Sequence, residues 1–355
     1  MKEMRVLAAL AVCGALGFVM SACSNSSGGG SSSNVDGGTG GAGGTPDSVF
    51  TPVYETFGSW PQTIKAQSVT VNQSETEPHG DFTYCKGDDG AWYVKRFEKA
   101  SGSDYKYSDG TSVAERSANS YKWFKVEPIK WRVLTTNYNG TGKKLLLAEK
   151  ILASCKYYDV TNVNRTVSAA AVYPNNYEHS TIRAFLNGLS YQKKDSADGV
   201  QVDCDDFKGK GFLQSAFTSE ELAKIADAIV DNSADSTTDS GNNLSKAADC
   251  VCANTSDKVF LLSEREVTNS EYGFPLYNKS GTGNARIRVT TDYARASGAY
   301  QSDYSGNGGA WFTRSPSPAN SKSVVRHIAG GGDASFAEPV DSDNYGVVPA
   351  LLLEN

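Results

Sequence analysis

Histidine is nearly absent from this chain of 355 residues: His79, His179 and His327 are the only three, and no two lie at ligand spacing. A zinc site built on imidazoles is therefore not expected. Cysteine stops at Cys252, and Cys250-Val251-Cys252 is too tight for the C-x-x-C of a redox pair or zinc knuckle. The Gly-x-Ser-x-Gly elbow of serine hydrolases is missing, since Asp303-Tyr304-Ser305-Gly306-Asn307 lacks the required glycines. Gly281-Thr282-Gly283-Asn284-Ala285-Arg286 approaches a dinucleotide loop but ends in Arg, with no Val-rich strand before it. No basic stripe exists, and a net charge of −6 spread along the chain excludes nucleic acid as a partner. Asp231, Asp235 and Asp239, spaced by four, do not match a calcium loop, and Asp203, Asp205 and Asp206 read as a solvated acidic cluster. No metal and no cofactor is expected. There is no repeat of solenoid or propeller period, and beyond the first residues no apolar run approaches the ~18 needed to span a bilayer.

What is present begins with residues 1–22: Lys2 and Arg5, an apolar run from Val6 to Met20, then small residues before Cys23. This is a secretory leader, too short to span. Val19-Met20-Ser21-Ala22-Cys23 resembles a bacterial lipobox, with Met20 where Leu is usual. The resemblance implies lipidation of Cys23 by acyl chains such as palmitate and a mature chain held by that lipid at the bacterial envelope, at the outer membrane or cell surface. Several acyl chains anchor firmly where one does not. Residues 23–46, almost all Ser, Gly, Asn, Thr or Ala, cannot bury enough apolar surface to fold. They read as a tether reaching roughly 25 Å.

Residues 47–355 are expected to form a single α+β domain with a substantial core. Ala91–Val94 and Trp123–Val126 read as strands. Ile129–Leu134 alternates apolar and polar beyond the interruption at Pro128, and the Asn139-Gly140 turn returns it into Leu145–Leu147 as a hairpin. Phe57–Thr63 is an aromatic segment broken by Gly58 and Pro61, followed by a polar loop to Phe82. Ser180 to Gly188 carries Ile182, Phe185 and Leu186 on one helical face. Thr218 and Glu221 make a capping box ahead of Leu222, Ile225 and Ile229, and Ser263 to Glu266 makes a second after the short strand Val259–Leu262. Asp231 to Asn254 reads as an exposed polar loop. The remaining cysteines, Cys85, Cys155, Cys204, Cys250 and Cys252, allow two disulfides and a free thiol, or none. Cys204 with Cys250 or Cys252 is the best pairing.

Residues 310–355 are the candidate ligand face. Trp311, Phe312, Arg314, Arg326, His327, Phe336, Asn344 and Tyr345 stand among Gly, Ser and Pro loops, and rigid aromatics with arginine dominate binding energy in interfaces. Trp311 and Phe312 also read as core, Trp311 more readily than as a contact because it begins a strand-like piece, and Arg314 reads equally as a structural tie; Arg326 to Phe336, on the Gly-rich loops, are the better binding candidates.

Five ordered segments, Val126–Leu134, Tyr177–Asn187, Lys258–Ser263, Trp311–Pro316 and Gly346–Leu351, resemble a bacterial family known as a domain of unknown function, DUF6273, from about Phe57 to Leu353. The closing pattern also resembles the formylglycine-generating-enzyme branch of C-type lectin-like folds, in particular retroelement-variable lipoproteins of spirochaetes. That likeness implies a C-type lectin-like domain whose diversified face, between Trp311 and Tyr345, binds ligand. Phe312, Thr313 and Val348 depart from its usual ending. The oxidase chemistry of the branch is not implied, because its paired C-terminal cysteines have no counterpart, and Glu338-Pro339-Val340 is one residue off the calcium-lectin tripeptide. The expected function is a lipid-anchored surface protein binding a protein or glycan ligand, possessing no enzyme activity. An envelope hydrolase or modifying enzyme using carboxylates, and a purely structural envelope protein, are the alternatives.

Overall fold

The computed structural model describes residues 51–99, 106–113, 121–159, 165–167, 170–194, 200–238, 252–276, 280–281, 283–302, 306–317 and 322–355. The expected leader, the tether, Cys23 and Cys250 lie outside them.

Six strands open the domain: β1 (Val53–Ile64), β2 (Val71–His79), β3 (Phe82–Gly87), β4 (Trp92–Phe97), β5 (Tyr121–Thr135) and β6 (Lys144–Ala148). They are antiparallel. β5 is the spine, because β1 runs along one of its edges while β4 and then β6 share the other. The terminal strand Ala350–Leu353 pairs with β6, and its far edge takes Ile225–Ala226 and Val259–Phe260, which completes a nine-stranded sheet. The alternation in β5 sends Ile129, Trp131 and Val133 into the core. On its other face Lys130 lies 3.8 Å from the Tyr54 ring centroid, and Arg132 pairs with Glu149 at 2.9 Å.

The chain passes straight through Pro128, where the sequence suggested a break. Pro128 stands opposite Ser59, where β1 shifts register between Thr56 and Ser59 around Gly58 at φ +69°. Its missing N–H therefore falls where the ladder is already interrupted. Gly58 is required there, since a Cβ would lie 2.4 Å from the Phe217 ring. β1 thus runs through the Phe57–Thr63 segment as one strand. β2, in the stretch expected as a loop, pairs with β3 as an edge strand exposed along nearly all its length. Having no buried face, it carries no apolar alternation to read.

Helix α1 (Thr181–Asn187) matches its sequence reading: the Ser180 hydroxyl accepts from Arg183 N at 3.1 Å, and Gly188 ends it in the left-handed region. The Thr218–Glu221 capping box is also formed, yet its helix ends at Leu222. Ile225 pairs with Leu353 in the sheet, and Ile229 is 67% exposed. Pairing along the terminal strand overrides the helical spacing of these residues.

A second sheet of five strands has the order Phe336–Pro339, Val324–Ile328, Trp311–Pro316, Gly346–Val347, Ala153–Ser154. Every residue of Trp311–Pro316 is buried. The class is α+β, mostly strand with a few short helices. Cys204 and Cys252 are free thiols, so no bridge joins them. Cys204 sits across from Tyr191 in a surface hairpin, while Cys252 lies under the Tyr177–Glu178 turn.

Candidate site: an aromatic cavity

A cavity of about 180 Å³ lies where the two sheets and three short helices meet. Trp60 comes from β1, Phe82 from β3, Arg96 from β4, Phe185 from α1 and Tyr293 from the helix Asp292–Ala296. The loop and helix around Phe207, Lys210 and Ser215 close another side, with Ser154 and Cys155 as the floor. The rings hold one another: Trp60 lies 5.0 Å from Phe82 and 5.9 Å from Tyr293, and Phe185 lies 5.5 Å from Phe207. The Trp60 indole N–H donates to the Leu152 carbonyl at 2.7 Å and so fixes the ring. The β2–β3 turn is pressed close: Gly80, at φ +58°, has Ser215 Oγ 2.4 Å from where a Cβ would stand, and Asp81 N donates to that oxygen at 2.8 Å.

Charge gathers at the rim. Asp81 faces Lys210 at 3.9 Å; desolvation raises its carboxyl despite Lys210 and Arg96 nearby. Arg96 donates from Nη1 to Tyr293 Oη at 3.1 Å, with its guanidinium 5.1 Å from that ring centroid. Among the described residues Arg96 forms no ion pair, and its buried Nε has no hydrogen-bond partner. The polar floor is committed: Ser154 donates to the Asp343 and Tyr345 carbonyls, Ser215 to Lys210 O and Ser297 to Tyr293 O. Cys155 donates to Lys156 O at 3.3 Å, and burial pushes its thiol up to about 12. It is a protonated thiol at neutral pH, without the thiolate character a nucleophile needs. No group of three metal-ligating side chains occurs among the described residues.

The expected ligand face is mostly interior. Trp311 and Phe312 are buried, and the Trp311 indole donates to Arg286 O at 3.1 Å. Arg314 is buried against Leu261 O, Asp231 O and Glu266. These three side chains cannot meet a ligand at the surface, which corrects that expectation: their strand is covered on both faces. Arg326 is also buried, donating to Ser335 O at 2.6 Å. Asn344 is half-buried, and its carbonyl accepts from Tyr300 N. What the structure does assemble is a ledge in which Tyr345 stacks on Phe312 at 4.8 Å and meets His327 at 4.7 Å, with Phe336 5.9 Å from His327. Of the eight candidates only Phe336 is exposed, at 52%. Ser154 links this ledge to the cavity floor through its bond to Tyr345 O.

Burial, reinforced by Arg326, lowers His327 from 6.5 to about 4, and its Nδ1 has no partner among the described residues. The unfolded chain thus binds a proton at higher pH than the folded one, so stability is full above about 6.5 and falls as pH drops towards about 4. Urea midpoints measured across that window should fall more steeply for the natural protein than for His327→Gln, by up to roughly 3 kcal/mol at the acid end. Parallel slopes would contradict the buried, neutral imidazole.

The sequence marks none of the cavity residues as a site: Phe185 reads as the buried face of a helix, Cys155 as one of five spare cysteines, and Trp60 as part of an aromatic segment. They come from seven separated stretches, and the only signal is large aromatics in otherwise polar surroundings, such as Phe82 after His79-Gly80-Asp81 and Phe207 after the acidic cluster. The family model described as domain of unknown function (DUF6273) matches residues 141–355. No curated protein and no solved structure is detectably similar to the chain. The match begins in the β5–β6 turn, so Val126–Leu134 and the rest of β1–β5 lie outside it. The cavity straddles that boundary: Trp60, Asp81, Phe82 and Arg96 precede the matched region, whereas Cys155, Phe185, Lys210 and Tyr293 lie within it.

Proposed function

The chain belongs to the domain of unknown function (DUF6273) family, and on that premise we propose that it is a lipid-anchored protein of the bacterial envelope whose domain binds a ligand without transforming it. The anchor is the lipid on Cys23, the spacer is the Ser- and Gly-rich stretch to residue 46, and the domain is of the C-type lectin-like kind. One observation carries the binding reading: a preformed cavity walled by Trp60, Phe82, Phe185, Phe207 and Tyr293, with a thiol that burial keeps protonated. Apolar walls with a few fixed polar groups are the usual make-up of a small-ligand site. The anchor is tested by growing the producing cells with an alkyne fatty acid: the natural chain takes the label and partitions into detergent, and Cys23→Ala does neither. Binding is tested by saturation-transfer NMR of the full chain in detergent against ring-sized fragments. Hits that compete with one another for one site support the reading; a library without a hit opposes it.

A further inference from the structure

We propose that the cavity takes a small organic anion, a carboxylate carried on a single apolar or aromatic ring, with Arg96 as its counter-charge. This rests on the reading above that the cavity is a ligand seat. Size sets the first limit, since ~150 Å³ of apolar space accommodates a benzene ring and this cavity measures about 180 Å³.

The polar lining sets the second. The hydroxyls of Ser154, Ser215 and Ser297 already donate to backbone carbonyls, so few donors remain for a ring with many hydroxyls. Such a ring would exchange its water for aromatic walls and leave several polar groups unmatched, each costing ~1–3 kcal/mol. An apolar ring loses nothing there and gains the stacking geometry of Trp60, Phe82 and Tyr293.

Charge sets the third. Asp81 and Lys210 face each other at 3.9 Å and roughly offset, while Arg96 has no carboxylate within ion-pair distance among the described residues. A second, open depression of about 370 Å³ shares Asp81, Phe82, Arg96 and Tyr293 with the cavity and adds Lys95 and Lys99. Arg96 thus stands at the junction, with lysines on its outer side. Asp81 acts on Arg96 only at longer range and faces Lys210, so the half-sunk guanidinium keeps no direct carboxylate partner, and its planar fork matches one. The ring would enter the cavity and the carboxylate would remain at the junction. A ligand ammonium would meet Arg96 and be repelled.

The test uses the full chain in detergent and three probes of one shape: phenylacetate, 2-phenylethanol and 2-phenylethylamine, followed by calorimetry and thermal shift. Phenylacetate should bind roughly tenfold more tightly than the alcohol, the worth of a charge-assisted hydrogen bond, and the amine more weakly than either. Arg96→Gln should bring phenylacetate down to the affinity of the alcohol while leaving the alcohol unchanged, and Arg96→Lys should keep part of the preference. Equal binding of the three probes, or a preference that survives in Arg96→Gln, overturns the anion assignment while leaving the cavity as a seat. Glucuronate binding more tightly than phenylacetate overturns the apolar ring. Failure of every probe removes the seat itself, and with it the reading on which this proposal rests. If Arg96→Gln does not fold, the ranking of the probes on the natural chain decides.

Discussion

Replacing Arg314 by methionine should destabilise the domain by roughly 3–5 kcal/mol, the range for breaking a buried ion pair by removing one partner. Arg314 is buried with its guanidinium on the Leu261 and Asp231 carbonyls and paired with Glu266. Glu266 also accepts from Tyr138 Oη at 2.8 Å and Ser263 N at 2.8 Å, so it closes the capping box at the helical turn that follows the Val259–Phe260 strand. Without the arginine, that carboxylate stays in a buried place with only neutral donors. The double change Arg314→Met with Glu266→Gln should therefore cost less than the sum of the single changes, by ~1–3 kcal/mol of coupling. Urea unfolding of the four proteins checks both statements. A loss below ~1 kcal/mol for Arg314→Met, the scale of a surface pair, would contradict the staple.

Arg286→Ala should be as severe, about 4 kcal/mol or more, for a different reason. Its side chain donates to four carbonyls: Gly332 at 2.5 Å, Val267 at 3.1 Å, Pro275 at 2.7 Å and Leu276 at 2.9 Å. The Arg286 backbone carbonyl also receives the Trp311 indole. One planar cation thus ties three loops to the second sheet, and truncation leaves several buried acceptors unsatisfied. Arg286→Lys should recover only part of the loss, because an ammonium cannot reproduce the spread of the fork. The measurement is again unfolding in urea, together with loss of protection of the Gly330–Gly332 amides in hydrogen exchange. Full recovery by lysine would show that charge alone, not the geometry of the fork, holds these loops.

The segments that carry the family resemblance prove to be structural. Trp131 donates to Phe57 O, Asn187 accepts from Lys258 N and Val259 N and donates to Val259 O, and Ser315 Oγ accepts from Glu264 N. Such residues are legible as motifs because each has one chemical task that few side chains perform. The β5–β6 hairpin and α1 were legible for a similar reason: a period-two pattern with Asn139 and Gly140 at the turn, and a capped amphipathic helix ending in Gly188. What escaped was decided by distant partners. Ile225 left its helix to pair with Leu353, β2 carried no alternation because it buries neither face, and Trp311 and Arg314, each open to a core or a binding reading, are settled as interior because both faces of their strand are buried. The cavity was illegible for the same cause. Trp60 and Tyr293 are 233 positions apart in sequence and meet at 5.9 Å, and nothing local to either position announces the other.

That separation of tasks, with motif residues holding the fold and scattered aromatics forming the ligand seat, is tested most directly by following the indole N–H signals of the five tryptophans during a phenylacetate titration. Trp60 lines the cavity and Trp311 is sealed in the second sheet. The Trp60 resonance should move with saturation and the Trp311 resonance should stay in place. Movement of Trp311 together with the ledge of His327, Phe336 and Tyr345, while Trp60 stays still, would return the ligand to the C-terminal face and contradict the account.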